Sequence, residues 1–260
     1  MGSSMEHQRH RRAAPVRVRV LTYNIHRAIG LDRKFRPERI IEVVAHHAPD
    51  IALLQEVDDG VPRSRELDLA RVLAEALDFP HFAVGHNVTL RKGRYGNATL
   101  SRFPILSERN IDLTIGIRKR RGCQHTRIAL TSGRVLEVFN LHLGLSARER
   151  HRQVDVLARA PEFAHVDSHA PCVVAGDFND WRALLRWTFT RDLGFECATD
   201  RGRTPRAIRT YPSFSPSGGL DKIYHRGTVR LVHARRCGLR LSRLASDHLP
   251  VIADFDVLGS

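Results

Sequence analysis

Twice in this chain a stretch with helical spacing runs into a short apolar segment that stops at a carboxylate. The first is PERIIEVVAHHA (37–48), with Pro at its start and Ile40, Ile41, Val44 and Ala48 on a helical period. It leads into DIALLQEV (50–57), which ends at Glu56. The second is a helical stretch over 146–164, which leads into PCVVAGDFND (171–180) and Asp177. A continuous apolar run of this length suits a strand buried on both faces, which requires helices over a sheet. The repeated order predicts two similar halves facing each other, each a sheet with helices on its outer side. The expected architecture is a four-layer α/β/β/α sandwich: two mixed β-sheets packed face to face, with helices outside.

The rest of the chain fills in that plan. Residues 16–23 (VRVRVLTY) alternate Val and Arg before turning apolar, as a strand entering a core does. Further strands are predicted at 81–85, 97–102, 124–131, 135–143, 220–225, 229–234 and 249–256. Further helical patterns cover 64–79 (Leu67, Ala70, Leu73, Ala74, Leu77) and 181–192, and 199–219 reads as loop. A length of 260 residues suits one α/β domain over 16–257, preceded by a flexible basic arm over 1–15. That arm has no apolar run behind it, so it does not read as a secretory signal. No stretch approaches the roughly 20 apolar residues needed to span a bilayer. Cys123, Cys172, Cys197 and Cys237 are far apart with no CxxC pair, which argues against zinc and a dense disulfide framework. A cytoplasmic, monomeric protein with reduced thiols is expected.

Charge narrows the partners. Lys and Arg total 42 against 28 acids, a formal +14 with His neutral, and only four of those cations are lysines. Such a surface attracts polyanions: nucleic acid, acidic lipid headgroups or phosphorylated small molecules. An Arg-rich composition with solvated arginines gives the same count, so charge alone does not choose a substrate. The run Arg118–Lys119–Arg120–Arg121 is open to the same two readings, a solvated cluster or a rim that grips a polyanion.

Five segments place polar residues where a core strand should stop: TYNIH (22–26), LLQEV (53–57), NLHLG (140–144), AGDFND (175–180) and SDHLP (246–250). Acids and amides gathered at strand ends supply hard oxygen ligands, which suit Mg²⁺ or Mn²⁺. In order and spacing this set resembles the endonuclease/exonuclease/phosphatase superfamily, over about Val16 to Phe255. RYGNATLSRFP (94–104) is similar to a GNA-type strand of that family. The resemblance implies the four-layer sandwich and a metal-dependent phosphoesterase. It implies a metal held by Glu56 with Asn24 and Asp247, and an attacking water handled by Asp177 with Asn179. It further implies His248 on the scissile phosphate with Asp221 paired to it, His142 as a second histidine, and Asn97 contacting substrate. His142 has two possible carboxylate partners. Asn97 also reads as a residue closing a turn after Gly96, and His26 shares the spacing of Asn24 but fits a structural role equally.

These residue types suit the chemistry without the family. Phosphodiester hydrolysis needs charge shielding at phosphorus, a nucleophile and a proton for the leaving alkoxide. An Asp–His pair favours the imidazolium, which can hydrogen-bond to phosphate or move a proton. The opening TYNIH and the later LDKIYH differ from the abasic-site endonucleases. The longer phosphate-loop motifs of the inositol phosphatases are not found. The expected activity is a phosphodiesterase acting on DNA or RNA, with a phospholipid, sphingomyelinase-like or small-molecule phosphoesterase as the alternative. A non-catalytic scaffold has no need for Glu56, Asp177, Asn179, Asp221, Asp247 and His248 together.

Overall fold

The computed structural model describes residues 14–201 and 206–259, so nearly all of the proposed arm lies outside the described residues. The first half contains β1 (Val16–Asn24), α1 (Pro37–His47), β2 (Ile51–Asp59), α2 (Leu69–Ala76), β3 (His81–Thr89) and β4 (Arg94–Ser101). The middle contains β5 (Ile105–Asp112), β6 (Gly122–Ala129), β7 (Val135–His142), α3 (Ala147–Arg159), α4 (Pro161–Ala164) and β8 (Cys172–Asp177). Short strands β9 (Glu196–Cys197), β10 (Asp200–Arg201) and β11 (Arg206–Ala207) follow. The chain closes with β12 (Asp221–Arg226), β13 (Val229–Arg236), α5 (Ser242–Ala245) and β14 (Val251–Val257).

Two six-stranded sheets result, in the orders β13-β14-β1-β2-β4-β3 and β5-β6-β7-β8-β12-β9. Each has one parallel pair at its centre, β1 with β2 and β7 with β8, and antiparallel neighbours elsewhere. The two repeats seen in the sequence are these two parallel crossovers, through α1 and through α3. A parallel pair needs such a crossover, and it brings both strand ends to the same edge of the sheet. Glu56 and Asp177 owe their common placement to that geometry.

The side-chain period of two sets the layers. Val18, Val20, Ile51 and Leu53 of one sheet meet Val138, Val173, Ala175 and Ile223 of the other in the inter-sheet core. The alternate residues Leu21, Tyr23, Ala52 and Leu54 face α1 and α2, while Phe139, Leu141 and Val174 face α3 and α4. Where helices stop covering the first sheet, its outer face becomes a charge ladder. Asp256 binds Arg17 (2.7 Å) and Arg230 (2.7 Å), and Asp254 binds Arg19 (2.6 Å) and Arg235 (3.3 Å). Part of the arginine excess is therefore absorbed within the fold.

Several boundaries differ from expectation for identifiable reasons. The pattern over 64–79 yields helix only from Leu69, because Asp68 caps it by accepting from the Arg71 amide at 3.1 Å. The stretch over 146–164 splits into α3 and α4 at Pro161, which cannot continue a helix. The expected helix over 181–192 is instead a series of turns ending in a π-helical turn, Thr188–Asp192. β5 has no alternating pattern, since most of its residues are exposed on a sheet edge. Among the described residues no helix is long and apolar enough to cross a membrane.

One fold feature carries a pH dependence. His47, near the end of α1, is 6 % exposed and its Nε2 has no hydrogen-bond partner among the described residues. Burial first, then the nearby His46, Arg235 and Arg19, push its pKa from 6.5 down to about 4. The unfolded chain takes up a proton that the folded chain refuses. The stability tied to His47 is therefore complete above pH 6.5 and lost as pH falls toward 4. Denaturant midpoints at pH 7.5 and pH 4.5 should drop less in His47→Gln than in the wild type, and equal drops would refute the assignment.

Candidate active site

The site forms where the inner-face residues of five strands run out of apolar partners. Asn24, His142 and Asp177 end β1, β7 and β8, Gln55 sits opposite Asn24 where the β1–β2 pairing stops, and Asp221 opens β12 directly opposite Asp177 in register. Asp177 is the hub. Its Oδ2 accepts from Asn24 Nδ2 at 3.0 Å and lies 3.4 Å from His142 Nε2 and 3.7 Å from His248 Nε2. Its Oδ1 accepts from the Asn179 amide at 2.9 Å, and Asn179 Nδ2 donates to the Leu143 carbonyl at 2.9 Å. His142 thus faces Asp177, which resolves the choice of carboxylate that sequence left open.

His248 bridges two acids. Its Nδ1 is 2.9 Å from Asp221 Oδ2, which also accepts from the Thr210 hydroxyl, and its ring packs on Tyr211 with centroids 4.9 Å apart. Burial lowers the tendency of this imidazole to charge, but Asp221 and Asp177 outweigh it and raise the pKa well above the ordinary histidine value. Asp177 moves the other way from an exposed acid: burial raises it, and His248 only partly offsets that. His142 is held neutral, its pKa pushed far down by burial and then by Arg121. The same carboxylate thus faces one imidazole whose charged form is favoured and one whose charged form is disfavoured.

Glu56 is placed by a defect in its strand. The β2–β4 register slips between Leu54 and Val57, and Glu56 takes a left-handed φ of 57°. The bulge removes Glu56 from the ladder and lets Val57 return to the outer core. A non-glycine residue in that region costs on the order of 1–2 kcal/mol, strain of the kind found where a strand re-aims a side chain. Arg27 Nε lies 3.2 Å from Glu56 Oε2, presented by a turn in which His26, Arg27 and Ala28 all have positive φ. Burial would raise the Glu56 pKa, but Arg27, His26, Lys119 and Arg121 together hold it below its ordinary range. His26 contributes a turn: its Nδ1 is 3.0 Å from the Ile29 carbonyl.

Asp247 reaches the assembly through Ser246, whose hydroxyl donates to the Asn24 carbonyl at 2.7 Å. Asn97 lines a cleft with Glu56 and His142, but its amide nitrogen is committed to the carbonyls of Gly122 (3.2 Å) and Asn140 (3.0 Å). That contact belongs to a set of amides the sequence analysis did not single out. Gln55 Nε2 donates to Asn140 Oδ1 (2.8 Å), and Asn140 Nδ2 donates to the carbonyls of Leu54 (3.2 Å) and Ala98 (3.0 Å). The two sheets, whose shared core is largely apolar, are stitched by amides beneath the site. The available signal was an amide on the inner-face period of an otherwise apolar strand.

The donor set suits a divalent cation. Glu56, Asp247, Asp177, Asp221 and Asn24 are hard oxygen donors, and Asp221 Oδ1 is buried with no hydrogen-bond partner among the described residues. Asp177, Asp221 and His248 each bring a ligand atom within 4.8 Å of the others. His248 sits against both of those acids, while Glu56 faces Arg27 Nε at 3.2 Å and lines the cleft shared with Asn97 and His142.

A model of the Endonuclease/Exonuclease/phosphatase family matches residues 21–248, most of the chain and every residue of the site. The chain belongs to this family. Family members are phosphoester hydrolases, typically dependent on a divalent metal. The uncharacterized protein YbhP of Escherichia coli (strain K12) is 32% identical over 245 residues, covering 91% of this chain and 95% of that protein. The endonuclease/exonuclease/phosphatase structure from Beutenbergia cavernae superposes with a TM-score of 0.74 at 23% identity, over 94% of this chain and 72% of that one. D. rerio TDP2 complexed with single strand DNA product superposes with a TM-score of 0.72 at 19% identity, over 92% of this chain and 98% of that one. These likenesses agree with two mixed six-stranded sheets packed together with helices outside, as expected from the sequence.

Proposed function

We propose that this family member is a divalent-metal-dependent phosphodiesterase that cuts nucleic acid. The observation that carries the reading is the opposition, in one site, of a buried Asp177–His248–Asp221 relay and a set of cations around Glu56 and His142. The relay suits phosphoester hydrolysis, and the cations, with the formal +14 of the chain, suit a polyanionic substrate. The same fold in D. rerio TDP2 holds a single strand DNA product, which makes nucleic acid the fitting first substrate to test.

In this reading Glu56, with Asn24 and Asp247, would hold Mg²⁺ or Mn²⁺, which when bound would supply positive charge to the phosphate. Asp177, raised by burial, takes a proton at Oδ2 from the attacking water, while Asn24 and Asn179 fix its orientation. His248, charged and anchored through Nδ1 to Asp221, directs Nε2–H at a phosphoryl oxygen. Neutral His142 orients Asp177 through Nε2, and the leaving oxygen takes its proton from His248 Nε2–H, which Asp177 Oδ2, 3.7 Å away, restores with the proton taken from water.

The test is a panel of esters assayed with Mg²⁺ and with Mn²⁺: duplex and single-stranded DNA, RNA, sphingomyelin, phosphatidyl lipids and inositol phosphates. Cleavage of DNA or RNA is expected to fall steeply as salt rises, and to vanish in excess chelator and in Glu56→Ala. Turnover of a lipid or small ester without nuclease activity would replace nucleic acid as substrate. Activity persisting in the Glu56→Ala protein would overturn the metal assignment.

A further inference from the structure

The loop between β5 and β6 carries four consecutive cations, and the structure divides them into two kinds. Arg118 is committed: its Nη1 binds Glu149 Oε2 at 3.2 Å and Ser146 Oγ at 3.4 Å, tying the loop to the first turn of α3. The Leu113 amide donates to the Arg121 carbonyl at 2.9 Å and closes the base of the loop. The remaining three, Lys119, Arg120 and Arg121, are thus held on a short closed segment. Among the described residues, no carboxylate lies within ion-pair distance of any of them.

Arg121 is the unusual one. It is only 7 % exposed, and its Nε is buried without a hydrogen-bond partner. A guanidinium held out of water without an anion is costly, so such groups are paired or functional. Arg121 and Arg120 line the cleft that also contains Glu56, Tyr95, Asn97 and His142. Lys119 closes the same side, with Nζ 5.6 Å from the Tyr95 ring centroid. Arg121 and Lys119 are also among the charges that lower the pKa values of Glu56 and His142, so their field reaches the catalytic centre.

We propose that Arg121, with Lys119 and Arg120, forms a subsite for a second phosphate of the substrate, on the Glu56–His142 side of the phosphate being cut. The planar guanidinium fork matches phosphate oxygens, and the unpaired Nε lacks only an acceptor. The ligand is a phosphate ester bearing another phosphate, whether the next one along a nucleic-acid strand or the second of a bisphosphorylated small molecule. The inference rests on the proposed function only in placing the first phosphate at the catalytic centre.

Binding measured in excess chelator, where nothing turns over, tests the subsite separately from the chemistry. Two ligand pairs differ by one phosphate each: the thymidine dinucleotide with and without a 5′-phosphate, and fructose 1,6-bisphosphate against fructose 6-phosphate. The extra phosphate should tighten binding roughly tenfold in at least one pair, the gain of a charge-assisted contact. A gain with the dinucleotide alone identifies strand spacing, and a gain with both identifies any second phosphate; each supports the subsite. Arg121→Gln should remove most of the gain. The exposed pair Lys119→Gln/Arg120→Gln should remove part of it, and decides the matter if Arg121→Gln does not fold. No gain in either pair, or a gain unaltered by these variants, would overturn the subsite. A second-phosphate gain in a protein that cleaves no nucleic acid would refute the nuclease reading alone.

Discussion

Asp177→Ala is expected to lower kcat/KM on the substrate found by the ester panel by at least about 10²–10⁴-fold, the usual worth of a positioned acid or base. The size follows from how many groups depend on one carboxylate. Asn24, His142 and His248 converge on Oδ2, and the Asn179 amide on Oδ1. Removing it takes away the proton acceptor and leaves His248 with Asp221 as its single close acid. His248→Ala should cost a similar factor. The double variant should lose little more than either single one, because the two act as a unit. Multiplicative losses would indicate independent roles, and an unchanged rate in Asp177→Ala would sink the mechanism. Circular dichroism and unfolding midpoints separate this loss from misfolding.

The second large effect is on stability. Asn140→Leu is expected to destabilise the fold by about 2–4 kcal/mol, although Leu nearly matches Asn in size. It leaves the Leu54 and Ala98 carbonyls each short of a hydrogen-bond donor, and removes the oxygen that receives Gln55 Nε2. All of these lie between the sheets, where water does not replace a lost partner. Because Gln55 precedes the bulge at Glu56, the substitution should also weaken divalent-cation binding, measurable by calorimetry. A change below about 1 kcal/mol in denaturant unfolding would show that the amide stitch is replaceable by apolar contact.

Much of this site was legible because strand periodicity is a local property. Asn24, His142 and Asp177 share a face with the inner-core residues Val18 and Val20, Leu136 and Val138, and Val173 and Ala175 of their own strands, so an inner-face period that turns from apolar to polar already marks the edge of the core. The duplicated order of helix, strand and acid likewise follows from βαβ crossovers. β5 could not be read this way, since an exposed edge strand has no buried face to impose a pattern. The stretch 181–192 misled for the opposite reason. Its apolar residues Leu185 and Phe189 are buried against the second sheet without forming a regular helix.

The sequence by itself determined the layers, the two crossovers and which polar residues reach the strand ends where the candidate site lies, because those depend on spacing along single strands. The tertiary structure alone decided which partners those residues take. It gave His142 to Asp177, hung His248 between Asp177 and Asp221, set Arg27 against Glu56, and turned Asn97, Gln55 and Asn140 into a stitch between sheets. It also separated Arg118, spent on Glu149, from Arg121, whose buried Nε has no hydrogen-bond partner among the described residues. These are contacts between segments distant in the chain, set by how two sheets pack and by how burial and neighbouring charge move each proton.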